Sequence, residues 1–308
     1  MTWHNQEVFS KGMSMSIKQR ALLLVNRQAR RGQENITVAI QQLTRLGFDL
    51  IEETTAHPDQ LSDVIRQHHD RVDLVIIGGG DGTLNAAIAG LIDTQLPLGI
   101  LPLGTANDLA RTLNIPTHIP TACAIIAARN VDRIDIGQVN DRYFFNVASF
   151  GLSVEITQRL TQEAKRRWGI FAYGFAAIQA LWSSRPFSAE IRTEEGTTTV
   201  KTIHVAVGNG LYYGGGLAVA QDATIHDDRL DLYSLEINHW WHLLRLLPNI
   251  YRGRHHILPF VHSQQGRAFT ITTRRPRPIN TDGEITTATP AHFKVLPKAI
   301  QILLPVKF

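Results

Sequence analysis

From Ala21 onward, short apolar runs alternate with segments of helical period. The apolar runs ALLLV, FDLIEET, VDLVIIGG and LGILPLG predict strands, and the segments between them predict helices. Strands joined by crossover helices are parallel, and a run as apolar as VDLVII (72–77) is typical of a strand buried on both faces. The first part of the chain is therefore predicted to be a doubly wound α/β domain.

The pattern changes near residue 130, where antiparallel strands are predicted. VDRIDIGQV, the turn Asn140-Asp141 and YFFNVASFG form a hairpin signature, and strand-like runs return at FTITT, HFKVL and IQILL. Two helical segments, at about 153–182 and 239–251, interrupt them. We therefore predict a mainly antiparallel β-sandwich as the C-terminal domain. The predicted parts are a loose N-terminal extension (1–16), the α/β nucleotide-binding domain (17–130) and the β-sandwich domain (131–308).

Composition narrows the class of protein. A chain of 308 residues with 44% hydrophobic and 19% charged residues can bury a core, which excludes disordered and fibrous classes. The single cysteine, Cys123, excludes an intramolecular disulfide and favours a reducing compartment. A formal net charge of +4 is too small to indicate nucleic-acid binding, and no apolar stretch reaches the roughly 18 to 20 residues of a membrane span. We expect a cytoplasmic protein without a nucleic-acid partner.

The first chemical motif is VIIGGGDGTLNAAIAGL, in which three glycines leave a buried strand and Asp81 follows them. Glycines allow backbone N–H groups to approach phosphate oxygens, and a helix N-terminus favours negative charge. The pattern is neither the dinucleotide fingerprint nor the Walker A loop, because no Lys-Ser/Thr pair follows the glycines. The alternative is a tight turn with Asp81 as a helix cap. The motif predicts a phosphate-binding loop.

A second motif, LGILPLGTANDLARTL, repeats this architecture about twenty residues later. Here Thr105 or Asn107 is also suited to simple helix capping, which is the competing interpretation. In a doubly wound sheet, however, the carboxyl ends of neighbouring strands open onto one crevice, where ligands bind. We therefore predict that the two loops face one ligand.

Together these motifs resemble the diacylglycerol kinase catalytic domain family, in particular the soluble bacterial lipid kinases. GGDGT alone is shared with NAD kinases and resembles phosphofructokinases, whereas GTANDLART is more specific. VGNGLYYGGGLAVAQDATIHDDRLDLYSLE (207–236) is similar to the glycine-rich segment of the family, and NTDGEI to its acidic motif. The resemblance runs from about Ala21 to the end, and the chain resembles sphingosine and ceramide kinases more distantly.

The resemblance implies an ATP-dependent lipid kinase of phospholipid biosynthesis, with its active site between the two domains. Such an enzyme transfers the γ-phosphoryl group to the hydroxyl of a diacylglycerol-like lipid. After the first strand this chain lacks the Pro and the Ser-Gly pair of the family, so only Asn26 carries over there. Arg30 or Arg31 is a candidate electrostatic substitute, and solvated surface arginines are the alternative interpretation. The nucleotide contacts implied are Asn26, Thr54, Gly78, Gly79, Gly80, Asp81, Gly82, Thr83, Leu84 and Thr105.

The acidic motif is Asp282-Gly283-Glu284. In an extended segment, residues i and i+2 point to the same side, so both carboxylates are expected to face one cleft. The family assigns the catalytic base to this motif, and we predict that Glu284 is the base because of its longer side chain, while Asp282 and Asp81 hold Mg²⁺ and its waters. The alternative is an Asp-Gly turn between two strands.

The resemblance also implies a second, structural Mg²⁺ site in ATIHDDRLDL. The family uses one Asp side chain and flanking carbonyls there, which places the ligands at Asp227 and at the carbonyls of Thr224 and Arg229. Hard oxygen ligands suit Mg²⁺. Asp228 stands where glycine is usual, and a type I turn rich in Asp is the competing interpretation. The predicted cofactors are therefore ATP, as co-substrate, and Mg²⁺.

A basic cluster next to aromatic residues suggests contact with an anionic membrane. Lys165, Arg166 and Arg167 precede Trp168 at the start of an apolar run, although a buried helix with a solvated basic end gives the same pattern. We expect peripheral contact with the inner membrane face, and a homodimer is left open. Two alternatives remain: an NAD or other small-molecule kinase, or a catalytically silent relative that senses nucleotide or lipid. Further candidates for the membrane surface are Arg252, Arg254, Arg274, Arg275 and Arg277.

Overall fold

The computed structural model describes residues 19–25, 32–54, 57–159, 185–220, 223–237 and 253–306, together with His242, Leu246 and Asn249. Several predictions concern residues that lie outside these ranges. They are the extension 1–16, Asn26, Arg30, Arg31, most of the two helical segments predicted after residue 153, Lys165, Arg166, Arg167 and Arg252.

The first part of the chain has the predicted alternation of strands and helices. The helical segment predicted between the third and fourth apolar runs forms two helices, which are divided at Ala87 and end at Thr94. The elements are β1 (Gln19–Val25), α1 (Gly32–Arg45), β2 (Phe48–Glu53), α2 (Leu61–His68), β3 (Leu74–Gly79), α3 (Asp81–Ala86), α4 (Ile88–Thr94), β4 (Leu98–Pro102), α5 (Asp108–Thr112) and α6 (Ile119–Ala128).

The first four strands form a parallel array in the order β2-β1-β3-β4. Helix α1 packs with α6, and α2 packs with α4. Every residue of β3 and β4 is buried, as the continuous apolar runs predict for strands covered on both faces. The carboxyl ends of all four strands therefore meet at one edge of the sheet.

The second part is mainly antiparallel, as predicted. Among its described helices and those of the first part, none is long and apolar enough to cross a membrane. The elements are β5 (Val131–Val139), β6 (Arg142–Phe144), β7 (Val147–Gly151), α7 (Leu152–Arg159), β8 (Phe187–Thr193), β9 (Gly196–Thr202), β10 (His204–Gly208), β11 (Tyr212–Tyr213), β12 (Leu217–Ala218), β13 (Leu230–Leu235), β14 (Val261–Gly266), β15 (Ala268–Thr273), β16 (Pro278–Thr281), β17 (Glu284–Ala288) and β18 (Ala291–Leu303).

Two sheets form the sandwich. One has the order β14-β13-β10-β7-β16-β17, and the other contains β18, β15, β8 and β9. Alternate residues of both sheets meet in one apolar core, for example Phe150, Phe269 and Phe293. The run YFFNVASFG, predicted as one strand, is two: β6 pairs with β5, whereas β7 lies in the other sheet. The division lets the chain pass from one layer to the other.

The last strand joins the two parts. HFKVL and IQILL, predicted as separate strands, are both in β18, which pairs with β5 on both sides of an irregularity between Leu296 and Ile300. Ile302 pairs in parallel with Leu98 of β4, and the end of β18 packs in the core of the first part. The end of the chain thus extends the parallel sheet. A domain boundary at residue 130 stays a prediction, and such a boundary does not assign all residues of the first core to the first part of the chain.

Candidate active site

The two glycine loops, which follow β3 and β4, touch each other. A Cβ atom on Gly80 would lie 3.1 Å from Cα of Gly104, and one on Gly104 would overlap the backbone of Gly80. The N–H of Leu103 donates to the carbonyl of Gly79 at 3.0 Å, which continues the pairing of the strands into the loops. Close backbone contact of this kind requires glycine at position 104 and leaves little room for a side chain at position 80. The structure therefore brings the two predicted phosphate loops together.

Asn107 shapes the second loop and does not cap α5 with its side chain. Its Oδ1 accepts the N–H of Gly104 at 2.9 Å, and its Nδ2 donates to the carbonyl of Gly104 at 2.9 Å. The residue is left-handed, with φ 51°, a conformation that asparagine tolerates well. Thr105 lies between these anchor points and is exposed, so its hydroxyl is accessible to a ligand.

Asp81 is the first residue of α3, and Gly80 is the cap of that helix. The Oδ1 atom of Asp81 accepts the N–H of Leu109 at 3.0 Å, at the start of α5. Asp81 therefore caps α5, and not its own helix α3 as the alternative interpretation expected. Within the described residues its Oδ2 has no hydrogen-bond partner, so the carboxylate links the two loops and keeps one oxygen free for a ligand.

Asp108 was missed by the sequence analysis, although it lies three positions after Thr105 in the same motif. Its Oδ2 accepts the N–H of Gly215 at 2.8 Å, and its Oδ1 is buried without a hydrogen-bond partner within the described residues. Burial raises the pKa of Asp108, and the nearby carboxylate of Asp81 raises it further. The glycine-rich segment of the second part is thereby attached to the loops of the first.

Arg111, also missed, lies beside the same segment. Its guanidinium is 5.9 Å from the ring centroid of Tyr212 and next to Gly216. Among the described residues it has no ion-pair partner within 4 Å. The hydroxyls of Tyr213 and Tyr233 share a hydrogen bond, and burial raises the pKa of Tyr213 to about 12, so this pair stays neutral. A positive charge therefore lies beside the glycine-rich segment that contacts the second loop.

The acidic motif is not extended, so the expected side-by-side arrangement of its carboxylates is wrong. Asp282 and Gly283 form the two-residue turn between β16 and β17, with φ of 47° and 104°, and Thr281 pairs with Glu284. Positive φ at both turn positions is typical of a type I′ hairpin, for which Asp-Gly is a preferred sequence. The turn separates the two side chains, and they have different surroundings.

The carboxylate of Asp282 is held by four N–H donors. Oδ1 accepts the backbone N–H groups of Asn146 and Val147, each at 3.0 Å. Oδ2 accepts the N–H of Phe145 at 2.7 Å and Nδ2 of Asn85 at 2.9 Å. Nevertheless, burial raises the pKa of Asp282 to about 6. Because both oxygens of Asp282 accept hydrogen bonds from these donors, the contacts favour an anchoring role over the predicted binding of Mg²⁺. Asn85, which the sequence analysis missed, belongs to α3, so the carboxylate attaches the hairpin to that helix.

Glu284, in contrast, is exposed and lies against the first glycine loop. A Cβ atom on Gly82 would lie 3.4 Å from Oε1 of Glu284. Asn85 donates to both Asp282 and the carbonyl of Tyr143, which fixes the hairpin at this place on α3. Thr54 is exposed just after β2, at the same edge of the sheet, two strands from β3. The structure therefore brings Glu284 to the predicted nucleotide loops.

We expect Asp282→Asn to lower the free energy of unfolding by about 3 kcal/mol, because an amide NH₂ would face two N–H donors. A pKa of about 6 in the folded chain, above that of an unfolded aspartate, means that the folded chain binds the proton more readily. The contribution of this carboxyl to stability therefore falls as pH rises from about 4 to about 6, and it is lowest above that range. Urea unfolding at pH 4.5 and pH 7 measures both effects.

The matched control is Asp141→Asn, whose side chain is 77% exposed in the nearby turn between β5 and β6. We expect no more than a small change for this variant at either pH. The stability difference between the wild type and Asp282→Asn should be larger at pH 4.5 than at pH 7. Equal stability of Asp282→Asn and the wild type at both pH values would contradict the anchoring role.

The predicted structural Mg²⁺ site lies in the loop before β13. Asp227 is partly buried, and burial together with the negative charge of Asp135 raises its pKa. Asp228 is left-handed, with φ 58°, which explains why glycine is usual there, and its Oδ1 is buried without a partner among the described residues. Concentrated negative charge fits a hard cation. The described residues contain no group of three or more His, Cys, Asp or Glu side chains suited to a metal, but the predicted set uses only one side chain.

Comparison with known families identifies two consecutive regions. The diacylglycerol kinase catalytic domain matches residues 20–139, and the YegS C-terminal NAD kinase beta sandwich-like domain matches residues 146–304. The boundary between the two matches lies close to the loop that connects β6 and β7. Together the matches cover both parts of the fold.

Similar proteins and structures extend this result. A probable lipid kinase YegS-like protein of Shewanella frigidimarina is 32% identical over 252 residues, covering 80% of this chain and 81% of that protein. A diacylglycerol kinase of Staphylococcus saprophyticus is 27% identical, covering 86% and 88%. For an uncharacterized Synechocystis protein, 32% identical, the match covers only 55% of its length. A crystal structure of a candidate diacylglycerol kinase from Bacillus anthracis superposes with a TM-score of 0.81 at 25% identity, over 93% of this chain and 97% of that one.

Proposed function

Because this chain belongs to the diacylglycerol kinase catalytic domain family, we propose that it transfers the γ-phosphoryl group of ATP to the hydroxyl of a diacylglycerol-like lipid. Membership of the family makes it a phosphotransferase of the lipid kinase type. The observation that carries the proposal is the position of Glu284 beside Gly82. A carboxylate of the sandwich is thereby held at a loop suited to phosphate.

The two touching loops are the proposed binding site for the nucleotide phosphates. Backbone N–H groups there approach phosphate oxygens without obstruction by side chains, because the loops are built on glycine. Arg111 supplies the positive charge that a transferred phosphoryl group requires. The proposed nucleotide-binding residues within the described part of the chain are Thr54, Gly78, Gly79, Gly80, Asp81, Gly82, Thr83, Leu84 and Thr105.

The proposed chemistry is an in-line displacement at the γ-phosphorus. The lipid oxygen forms a bond to phosphorus, the bond between phosphorus and the β–γ bridging oxygen breaks, and ADP leaves. Glu284 accepts the proton of the lipid hydroxyl, because an exposed carboxylate next to the loop is within reach of an acceptor placed in line. Asp282 does not exchange protons with substrate in this scheme, and it holds the hairpin that presents Glu284.

Residues suited to hold Mg²⁺ are present in two places. Asp81 offers a free carboxylate oxygen at the loops, and Asp227, with the carbonyls of Thr224 and Arg229, forms the proposed structural site. Mg²⁺ bound at the loops would neutralise negative charge on the phosphates. The residues of the chain position the nucleotide through the loops and the acceptor through the hairpin.

We expect Thr105→Ala to weaken ATP binding on the order of tenfold, the effect of losing one hydrogen bond to a charged group. Lipid binding should change little, because Thr105 lies on the loop that follows β4. Thr117→Ala, at another exposed threonine of the same domain, is the matched control. Titration calorimetry with a non-hydrolysable ATP analogue gives the nucleotide affinity. An equal loss of nucleotide and lipid affinity would contradict the placement of the phosphates between the two loops.

Incubation of the purified protein with labelled ATP, Mg²⁺ and a panel of acceptors tests the function. Diacylglycerol, ceramide and sphingosine in mixed micelles represent the lipid acceptors, and NAD represents the alternative small-molecule kinase. We expect label in diacylglycerol. Label in NAD would replace the proposal by the alternative, and nucleotide binding without transfer to any acceptor would favour the silent, sensing relative. Action at the inner membrane face from the cytoplasm belongs to the same proposal, and dimerisation stays a prediction.

A further inference from the structure

We propose that one end of the sandwich, formed by Arg185, Lys201, Arg274, Arg275 and Arg277, docks on the surface of an anionic bilayer. We call these five residues the basic end. The inference rests on the proposed function, because a lipid kinase must reach its acceptor at an interface. It differs from that proposal in naming the surface that makes the contact.

The register of three strands brings the basic end together. Strand β8 runs away from it, starting at Phe187, and Ser188 pairs with Lys201 at the end of β9. The last residue of β15, Thr273, pairs with Ala189 near the start of β8. Adjacent strands lie about 4.8 Å apart, so the three chain segments that carry the basic residues meet within about 10 Å across the sheet.

Four of the five side chains extend into solvent. Arg185, Lys201, Arg274 and Arg275 are exposed, and none has an ion-pair partner in the described part of the chain. On β9, the neighbouring Val200 is buried in the sandwich core, so Lys201 points away from that core. The basic end is therefore a cluster of uncompensated charge.

Arg277, the fifth residue of the basic end, is held in place by packing on an aromatic ring. Its guanidinium carbon lies 3.6 Å from the ring centroid of Phe187, and burial lowers the pKa of this arginine while the nearby Glu155 raises it. Glu190, the other acidic group here, is 3.4 Å from Arg192. Among the residues that the structure describes, five positive charges against the carboxylate of Glu155 leave about +4 at this end.

The basic end lies beside the hairpin that carries the proposed catalytic base. Strand β17 starts at Glu284 and runs back to Ala288, which pairs with Pro278, the neighbour of Arg277. Glu284 is therefore at the turn of this hairpin and Arg277 beside its open end, about five strand residues or roughly 17 Å away. Docking of the basic end on a bilayer thus leaves the proposed base uncovered.

The test is the triple variant Arg185→Gln, Arg274→Gln, Arg275→Gln, which leaves Arg277 and its packing on Phe187 unchanged. The matched control neutralises Arg45, Arg71 and Arg129, which are exposed. They precede β2, β3 and β5, and so lie at the edge of the parallel sheet that is opposite to the glycine loops. Sedimentation with phosphatidylglycerol-containing vesicles at low salt measures partitioning. We expect a loss of roughly fivefold per charge, on the order of a hundredfold for the triple variant, and little change for the control.

Activity separates this inference from the proposed function. The triple variant should lose activity on vesicle-borne diacylglycerol and keep it on a short-chain soluble diacylglycerol. Vesicle binding equal to that of the wild type would overturn the docking surface and leave the kinase proposal untouched. Binding of wild type to a DNA duplex or to polyglutamate in preference to anionic vesicles, abolished in the triple variant, would also overturn it, because the occupant would then be a different macromolecule.

Discussion

Glu284→Gln is expected to lower kcat for lipid phosphorylation by on the order of a hundredfold or more, with almost no change in ATP affinity. The reason is that Glu284 is proposed to act on the acceptor proton in the transition state, and a glutamine of the same size cannot accept that proton. The exposed position of Glu284 means that the substitution leaves no buried group unsatisfied, so the fold should be unaffected. Steady-state kinetics on a micellar lipid and calorimetry with the ATP analogue separate the two quantities.

Glu194→Gln, in the exposed turn between β8 and β9, is the matched control and should behave as the wild type. A normal kcat for Glu284→Gln would remove Glu284 from the mechanism. The base role would then pass to Asp282 or Asp81, of which Asp81 keeps one carboxylate oxygen without a hydrogen-bond partner among the described residues.

Asp81→Asn is expected to reduce turnover by on the order of a hundredfold to a thousandfold, since a charge next to the transferred group is lost in a site built to order charge. The amide oxygen of the substituted side chain can still accept the N–H of Leu109, so the start of α5 stays capped. Thermal unfolding should therefore be almost unchanged. Single-turnover kinetics with and without excess Mg²⁺ measures the loss.

The comparison variant is Asp81→Ala, which loses both the charge and the cap. It should show the same loss of turnover together with a decrease in stability of about 1 kcal/mol. If Asp81→Asn retained turnover while Asp81→Ala lost it, Asp81 would serve only to hold α5. That result would restrict the role of the GGDGT motif to structure.

The sequence predicts the first part of the fold well because the relevant signals are local. Apolar runs mark β1, β3 and β4, and the glycines after β3 and β4 mark the loops. Parallel strands place their carboxyl ends at one edge, so the contact of Gly80 with Gly104 follows from the topology. The contact of the two glycine loops is consequently the part of the site that the sequence predicts correctly.

The remaining features depend on partners far away in the chain. Asp282 is anchored by donors 135 to 197 residues away, and nothing in its neighbourhood marks them. In the sequence, Asp108 has no feature that distinguishes it from an ordinary helix residue, and its role depends on a hydrogen bond from Gly215. The return of β18 to β4 likewise depends on a pairing that its own apolar pattern does not specify. The extended geometry assumed for the acidic motif failed for a local reason, since Asp-Gly favours a tight turn.

Transfer of label from γ-³²P-labelled ATP to diacylglycerol, by the purified wild-type chain and by Glu284→Gln, tests the proposed reaction and its base together. We expect organic extraction to recover labelled phospholipid from the wild-type reaction, in an amount equal to the ADP formed, and almost none from the variant. Formation of ADP without labelled lipid, or equal labelling by both proteins, would contradict a lipid kinase whose base is Glu284.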